Sequence, residues 1–177
     1  ARTAREVSHY NVCKVYDLHT ENSESGELVF LSMEYIEGET LSARIQRDGA
    51  AEPGEALGIV RQLCAGLAQA HQQKVIHGDL KPANVLVTQQ GRAVLTDFGL
   101  ARFAEPDGSH ILSQHGGTLD YMAPELFHGQ APTIATDIYA LGVLIHTLLT
   151  GQTPKRKAAL PIPQEAGQLE DPADWRR

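Results

Sequence analysis

The chain is poor in cysteine, in basic runs and in long apolar runs, and each shortage removes a class of protein. Its two cysteines, Cys13 and Cys64, stand far apart among 177 residues. That is too few for a disulfide framework and the wrong spacing for a zinc cluster, so both are expected to be ordinary buried thiols in a reducing compartment. The net charge is −7, and the basic run Lys155-Arg156-Lys157 is short. A phosphate-backbone binder needs clustered Lys and Arg, so no nucleic-acid partner is expected and the short run reads as a solvated loop. The longest apolar stretch, Ile138 to Leu149, includes His146 and is too short to cross a bilayer. The first residues show no signal-peptide pattern. The expectation is a soluble, cytoplasmic protein with no membrane contact within this chain.

What is present suffices for a core, since 42% of the residues are hydrophobic and the length suits about one domain. Val12 to Tyr16 and Leu28 to Met33 read as two strands of a hairpin, with HTENSESGE as a polar loop between them. Thr40 is placed to cap a short helix carrying Leu41 and Ile45. Pro53 opens a long helix to about Gln73. Leu57, Val60, Cys64, Leu67 and His71 keep helical spacing on one face of it, and Ala56, Ile59, Leu63 and Ala70 fill a second, which predicts burial nearly all round. In VIHGDLKPANVLV (75–87), Val75-Ile76 and Val85 to Val87 look like strand material around a polar loop. Residues 85–96 form a second hairpin with Gly91 in its turn. Residues 101–120 have weak periodicity and suggest a long mobile segment. Asp137 to Thr150 predicts a buried helix stopped by Gly151. The last 26 residues read as a linker or an incomplete domain.

The chemistry lies in the loop and the second hairpin. Asp79 and Asn84 share the loop, and the hairpin folds Asp97 back beside Asn84. Two carboxylates and an amide oxygen are hard ligands that suit magnesium better than zinc. Lys81, two residues after Asp79, supplies a point charge fit for a transferring phosphoryl group. Each residue alone would pass for loop polarity, but the set points to phosphoryl chemistry.

HGDLKPAN resembles the catalytic loop of protein kinases. It is followed at that family's spacing by Asp97-Phe98-Gly99 and Ala123-Pro124-Glu125, while GTLDYMAPE (117–125) and DIYALGVLI (137–145) resemble the end of the activation segment and the helix after it. SHYNVCKVYDL and LVFLSMEYIEGETL resemble the fourth and fifth strands of the small lobe and the hinge. The resemblance runs from about residue 1 to about residue 151. It implies an α+β, kinase-like fold with a remnant of the small-lobe antiparallel sheet over 1–36, the core of a mostly helical large lobe over 37–151, and an incomplete tail over 152–177.

The same resemblance implies a serine/threonine protein kinase that uses ATP and Mg2+ to phosphorylate a protein hydroxyl. Asp79 would orient or accept the proton of the attacking hydroxyl, and Lys81 would stabilise the phosphate in flight. Asn84 and Asp97 would hold magnesium, and Thr118 would contact the catalytic aspartate and lysine. Glu34 and Ile36 would offer backbone groups to adenine, with Met33 as gatekeeper and Leu86 as the floor under the base. His77 and Phe98 would stack in the core, Asp137 would bond the catalytic-loop backbone from below, and His71 reads as structural. The His-Gly-Asp spelling also resembles aminoglycoside and choline phosphotransferases. Lys81-Pro82, the full Asp-Phe-Gly and Ala-Pro-Glu favour the protein kinase. Gly78 stands where most protein kinases have the arginine that pairs with an activation-segment phosphate, so in the intact protein activity independent of phosphate on Ser109 or Ser113 is expected.

The glycine-rich loop, the small-lobe lysine and its glutamate partner, and the closing helices of the large lobe have no counterpart in these 177 residues. What is here is about two-thirds of a kinase domain. The stretch by itself is therefore expected to be inactive or nearly so, and a non-catalytic kinase-like binding module is the reading from another class.

Overall fold

The computed structural model describes residues 7–23, 26–98 and 119–155. Strands β1 (Val15–Ser23) and β2 (Gly26–Met33) pair antiparallel, with Tyr16 as an extra residue between the Val15↔Met33 and Asp17↔Ser32 partners. The hairpin is longer than the sequence pattern suggests. The stretch from His19 to Ser23, part of the run that reads as a polar loop, is strand, because ladder hydrogen bonds need no apolar side chains.

A second sheet has the order β3 (Glu39–Thr40), β4 (Val85–Val87), β5 (Ala93–Leu95), all antiparallel. Residues 11–13 run along the free edge of β5: Leu95 N–H donates to the Asn11 carbonyl at 2.9 Å and Cys13 N–H to the Leu95 carbonyl at 2.8 Å. Gly91 holds the β4–β5 turn with φ +79°, a conformation that favours glycine. Val75 and Ile76 are not in a strand; they lead from the helix into the polar loop, and Val75 N–H bonds back to the Ala70 carbonyl at 2.9 Å.

Three helices carry most of the rest. In α1 (Leu41–Asp48) the Thr40 hydroxyl accepts from Ala43 N–H at 3.1 Å, the expected cap. Helix α2 spans Pro53–Gln72 with proline in its first turn. It is amphipathic rather than buried all round: Ala56, Ile59, Leu63, Gly66, Leu67 and Ala70 are buried, while Leu57 is 50% exposed and Cys64 lies at the surface. Only Cys13 is thus a buried thiol. Gly66 permits the close crossing of α2 over the sheet, since a Cβ there would come within 2.9 Å of the Leu95 side chain and 3.0 Å of the Asn11 carbonyl. After a short helix α3 (Pro124–Phe127), helix α4 runs Ile134–Thr150 and begins three residues before Asp137. A reciprocal Thr133/Thr136 capping box starts it, and Gly151 stops it in the left-handed region at φ +71°.

One core joins these parts. Leu41, Leu63, Leu67, Val85, Leu95, Leu144 and Leu148 are each at most 4% exposed and belong to a single cluster under β4, β5, α2 and α4. A smaller cluster of Cys13, Ile36 and Val94, with Leu86 packed against it, covers the opposite face of the sheet. The period-two alternation of Val85/Val87 against Leu86 and of Ala93/Leu95 against Val94 divides the side chains between them.

Candidate active site

Residues 77–84 form an irregular loop between α2 and β4, ending in a 3-10 turn at Pro82–Asn84. An irregular backbone near the core must find partners for its N–H groups. Asp137, in the first turn of α4 and 1% exposed, supplies them. Its Oδ2 accepts His77 N–H at 2.9 Å and its Oδ1 accepts Gly78 N–H at 2.8 Å. His71, from the last turn of α2, places Nε2 2.7 Å from the same Oδ2. The role that resemblance gave Asp137 is therefore present in the geometry. The contact to His71 is not legible in the sequence, although His71 lies in the last turn of its helix and Asp137 in the first turn of its own.

Above this anchor the polar side chains converge. Lys81 Nζ lies 2.6 Å from Asp79 Oδ2, and Asn84 Nδ2 donates to the Asp79 carbonyl at 2.8 Å and to its Oδ2 at 3.2 Å. Asn84 is 7% exposed. Its backbone carbonyl accepts Thr96 N–H at 3.0 Å, which brings Asp97 beside it as the hairpin pattern predicts. Asp97 is exposed and holds φ +61°, in the left-handed region. Aspartate tolerates that region better than most residues, and residues held there cluster at working sites. Thr118, and Gly99 after Phe98, lie outside the described residues.

His77 is fully buried and tilts against Phe98, with ring centroids 4.5 Å apart. Its Nδ1 accepts Asp79 N–H at 3.3 Å, which puts the ring proton on Nε2. Burial holds its pKa below the ordinary histidine value, against the opposing pull of Asp137, Asp79 and Asp97. The ring is a neutral brace under Asp79.

The segment from Met33 to Gly38 closes the other side. Met33 is 39% exposed and Ile36 is 9% exposed in the small cluster with Cys13 and Val94. Glu34 N–H donates to the Lys14 carbonyl at 2.8 Å. Leu86 is half-buried on the same cluster and pairs across the sheet with Thr40 and Val94. Burial, then the carboxylates of Glu34 and Asp97, push the Cys13 thiol up, so it lines this cluster uncharged. Gly38 lets the segment pass over β4, where a Cβ would meet the Val87 carbonyl oxygen at 2.6 Å. The structure thus brings Asp79, Lys81 and Asn84 together, sets Asp97 beside them, and packs Ile36 and Leu86 in a small apolar cluster with Cys13 and Val94, next to Glu34.

A family model for the protein kinase domain matches residues 1–168. The chain belongs to the protein kinase family. Among curated relatives of this kinase segment, the serine/threonine-protein kinase PrkC of Bacillus subtilis is 35% identical over 174 residues, which is 98% of this chain and 26% of that protein. The serine/threonine-protein kinase PkaA of Streptomyces coelicolor is 39% identical over 151 residues, 84% of this chain and 27% of that protein. The kinase segment therefore spans about a quarter of the length of these relatives. A crystal structure of Rad53 in complex with AMP-PNP superimposes with a TM-score of 0.68 at 24% identity, covering 88% of this chain and 38% of that one. That likeness bears out the α+β kinase-like fold. No helix among the described residues is long and apolar enough to cross a membrane.

Proposed function

We propose that this segment carries the catalytic loop and adenine slot of a serine/threonine protein kinase that transfers the γ-phosphoryl group of ATP to a protein hydroxyl. The observation that carries the reading is the convergence of Lys81 and Asn84 on the Asp79 carboxylate, above a loop whose backbone is fixed by buried Asp137. Phosphoryl transfer asks little covalent chemistry of the protein, so positioning and charge dominate. Asp79 orients the substrate hydroxyl and receives its proton as the oxygen attacks. Lys81, already on Asp79, offers its ammonium to the charge that develops on the moving phosphoryl oxygens. The Glu34 carbonyl and the Ile36 N–H face the adenine edge, Leu86 supports its plane, and Met33 borders the slot. Thr118, outside the described residues, keeps only the role that the family resemblance gives it, beside Asp79 and Lys81.

The donor set fits magnesium. Asn84 spends its amide N–H on Asp79, which leaves Oδ1 as the ligating atom, and Asp97 adds an exposed carboxylate. Asn84 and Asp97 would hold the ion, which when bound neutralises charge on the phosphate oxygens of the nucleotide.

The test is phosphate transfer from labelled ATP with magnesium by the full-length protein, offered a generic protein substrate beside amino-sugars and choline. Label on serine or threonine, falling about 10²–10⁴-fold in Asp79→Asn, is the expected result. Label on a small molecule would reassign the protein to the aminoglycoside and choline type. No transfer by a folded protein would leave a non-catalytic binding module.

A further inference from the structure

The hinge between β2 and β3 has no strand partner of its own, yet an adenine edge must be met at fixed distances. Its backbone is held by Glu34 N–H on the Lys14 carbonyl at 2.8 Å and by Cys13 Sγ 3.6 Å from the Glu34 carbonyl, and a further tie reaches it from the β4–β5 turn. Arg92 ends the β4–β5 turn, and both its terminal nitrogens approach Glu34 Oε1, at 3.3 and 3.4 Å. The same guanidinium donates to the Tyr10 carbonyl from Nε at 3.0 Å and from Nη2 at 2.7 Å, and lies 4.4 Å over the Tyr10 ring. The second carboxylate oxygen of Glu34 accepts Lys14 N–H at 3.4 Å. One planar cation is thus fastened to three segments: residues 10–14, the hinge, and the hairpin whose strands carry Leu86 and lead to Asp97. A lysine has a single point charge and could not serve the carbonyl and the carboxylate in one plane.

We propose that Arg92 is a positioning residue for nucleotide binding, which locks the hinge carbonyl of Glu34 in register with the Leu86 floor of the adenine slot. The proposal rests on the kinase reading above. Arg92 and Glu34 side chains are 21% and 30% exposed, so solvent screens their attraction and its worth lies in geometry more than in stability. Without Arg92 the Glu34 backbone would keep its bond to the Lys14 carbonyl but lose the side-chain tie to the hairpin that carries Leu86. Binding of the base suffers, while Asp79 and Lys81, which Arg92 does not touch, keep their arrangement.

The experiment uses the full-length protein and the variants Arg92→Ala, Arg92→Lys, Glu34→Ala and the double alanine, each checked for an unchanged melting profile. KM for ATP and kcat are measured, with the Kd for a non-hydrolysable ATP analogue by calorimetry. The expected result for Arg92→Ala is a KM and a Kd raised about fivefold, the range open to a partly exposed ion pair, with kcat within twofold of wild type. Arg92→Lys recovers only part of the affinity, and the double variant is no weaker than the worse single one. Unchanged KM and Kd in a folded Arg92→Ala protein, or additive losses in the double variant, would overturn the proposal. If Arg92→Ala does not fold, Arg92→Lys and Glu34→Ala decide it by the same readouts. A wild-type protein that binds the analogue but transfers no phosphate would sink the catalytic reading and leave the Kd series to judge Arg92. One that binds no nucleotide at all would end both.

Discussion

In β4 and β5 the side chains of Val85, Val87, Ala93, Val94 and Leu95 are all at most 2% exposed, whereas in β1 and β2 Leu18, Leu28, Val29 and Phe30 are 44–54% exposed. Both pairs are antiparallel, and Leu28, Val29 and Phe30 of β2 suit a strand as well as the residues of β4 and β5 do, so neither their β-propensity nor pairing accounts for the difference in exposure. Cover does: α2 packs under one face of the β4–β5 sheet with α4 behind it, and Cys13 and Ile36 lie on the other. A strand is stabilised by what lies on its faces more than by its ladder. The site follows that division. Asn84 and Asp97 flank the covered pair, and the loop bearing Asp79 is fastened to α4, while the hairpin contributes the hinge only at its last residue, Met33.

The strongest way to break the contrast is to remove the polar pin on the covered side. Asp137→Ala leaves two loop N–H groups and His71 without their buried acceptor. A loss of about 3–5 kcal/mol of unfolding free energy is expected, as when one member of a buried charged network is deleted. Denaturant titration reads the total. Hydrogen exchange reads the place: the His77 and Gly78 amides should lose protection while the β1–β2 amides keep theirs. Equal loosening of both regions would mean that Asp137 serves the whole fold and not this loop.

Matched truncations then sharpen it. Leu95→Ala opens a cavity at a fully buried position under α2 and should cost about 2–5 kcal/mol. Leu28→Ala acts on a side chain that is 54% exposed and should cost no more than about 0.5 kcal/mol, as surface changes do. Thermal or urea unfolding of the two variants measures the ratio. Similar losses would show that the hairpin face is covered in solution.

The same contrast explains what could be read in the sequence. The cap at Thr40, the stop at Gly151, the turn at Gly91 and the placing of Asp97 beside Asn84 are local or follow from hairpin geometry, and the sequence carries them. The depth of burial is not local. Leu57 and Cys64 keep helical spacing as well as Leu63 and Ala70 do, but only the sheet under α2 decides which face is covered, and small Ala56, Gly66 and Ala70 mark the close approach. His19 to Ser23 look like loop because they are polar, yet backbone pairing holds them as strand. Val75 and Ile76 look like strand because a short apolar run was taken for a ladder. At the site, motif spacing identified Asp79, Lys81 and Asn84. The ties of Arg92 to Glu34 and of His71 to Asp137 join residues 58 and 66 positions apart, beyond what periodicity can show.

The smallest expected effect is a pH dependence that belongs to the covered side alone. His77 is wholly buried, and burial holds its pKa below the ordinary 6.5 in the folded protein. The unfolded chain therefore takes up this proton first as pH falls. The stability contributed by neutral His77 is complete above about pH 6.5 and is lost progressively below it, with a limiting slope of about 1.4 kcal/mol per pH unit for one proton. Urea titrations between pH 7.5 and 5 should show unfolding free energy falling toward acid, and His77→Phe should flatten that slope by up to one proton's worth. The substitution keeps a ring against Phe98 but removes the acceptor of Asp79 N–H, so a constant offset is expected beside the lost slope. A variant with the wild-type slope would show that the acid sensitivity lies in other groups and that the His77 ring is not held neutral by its burial.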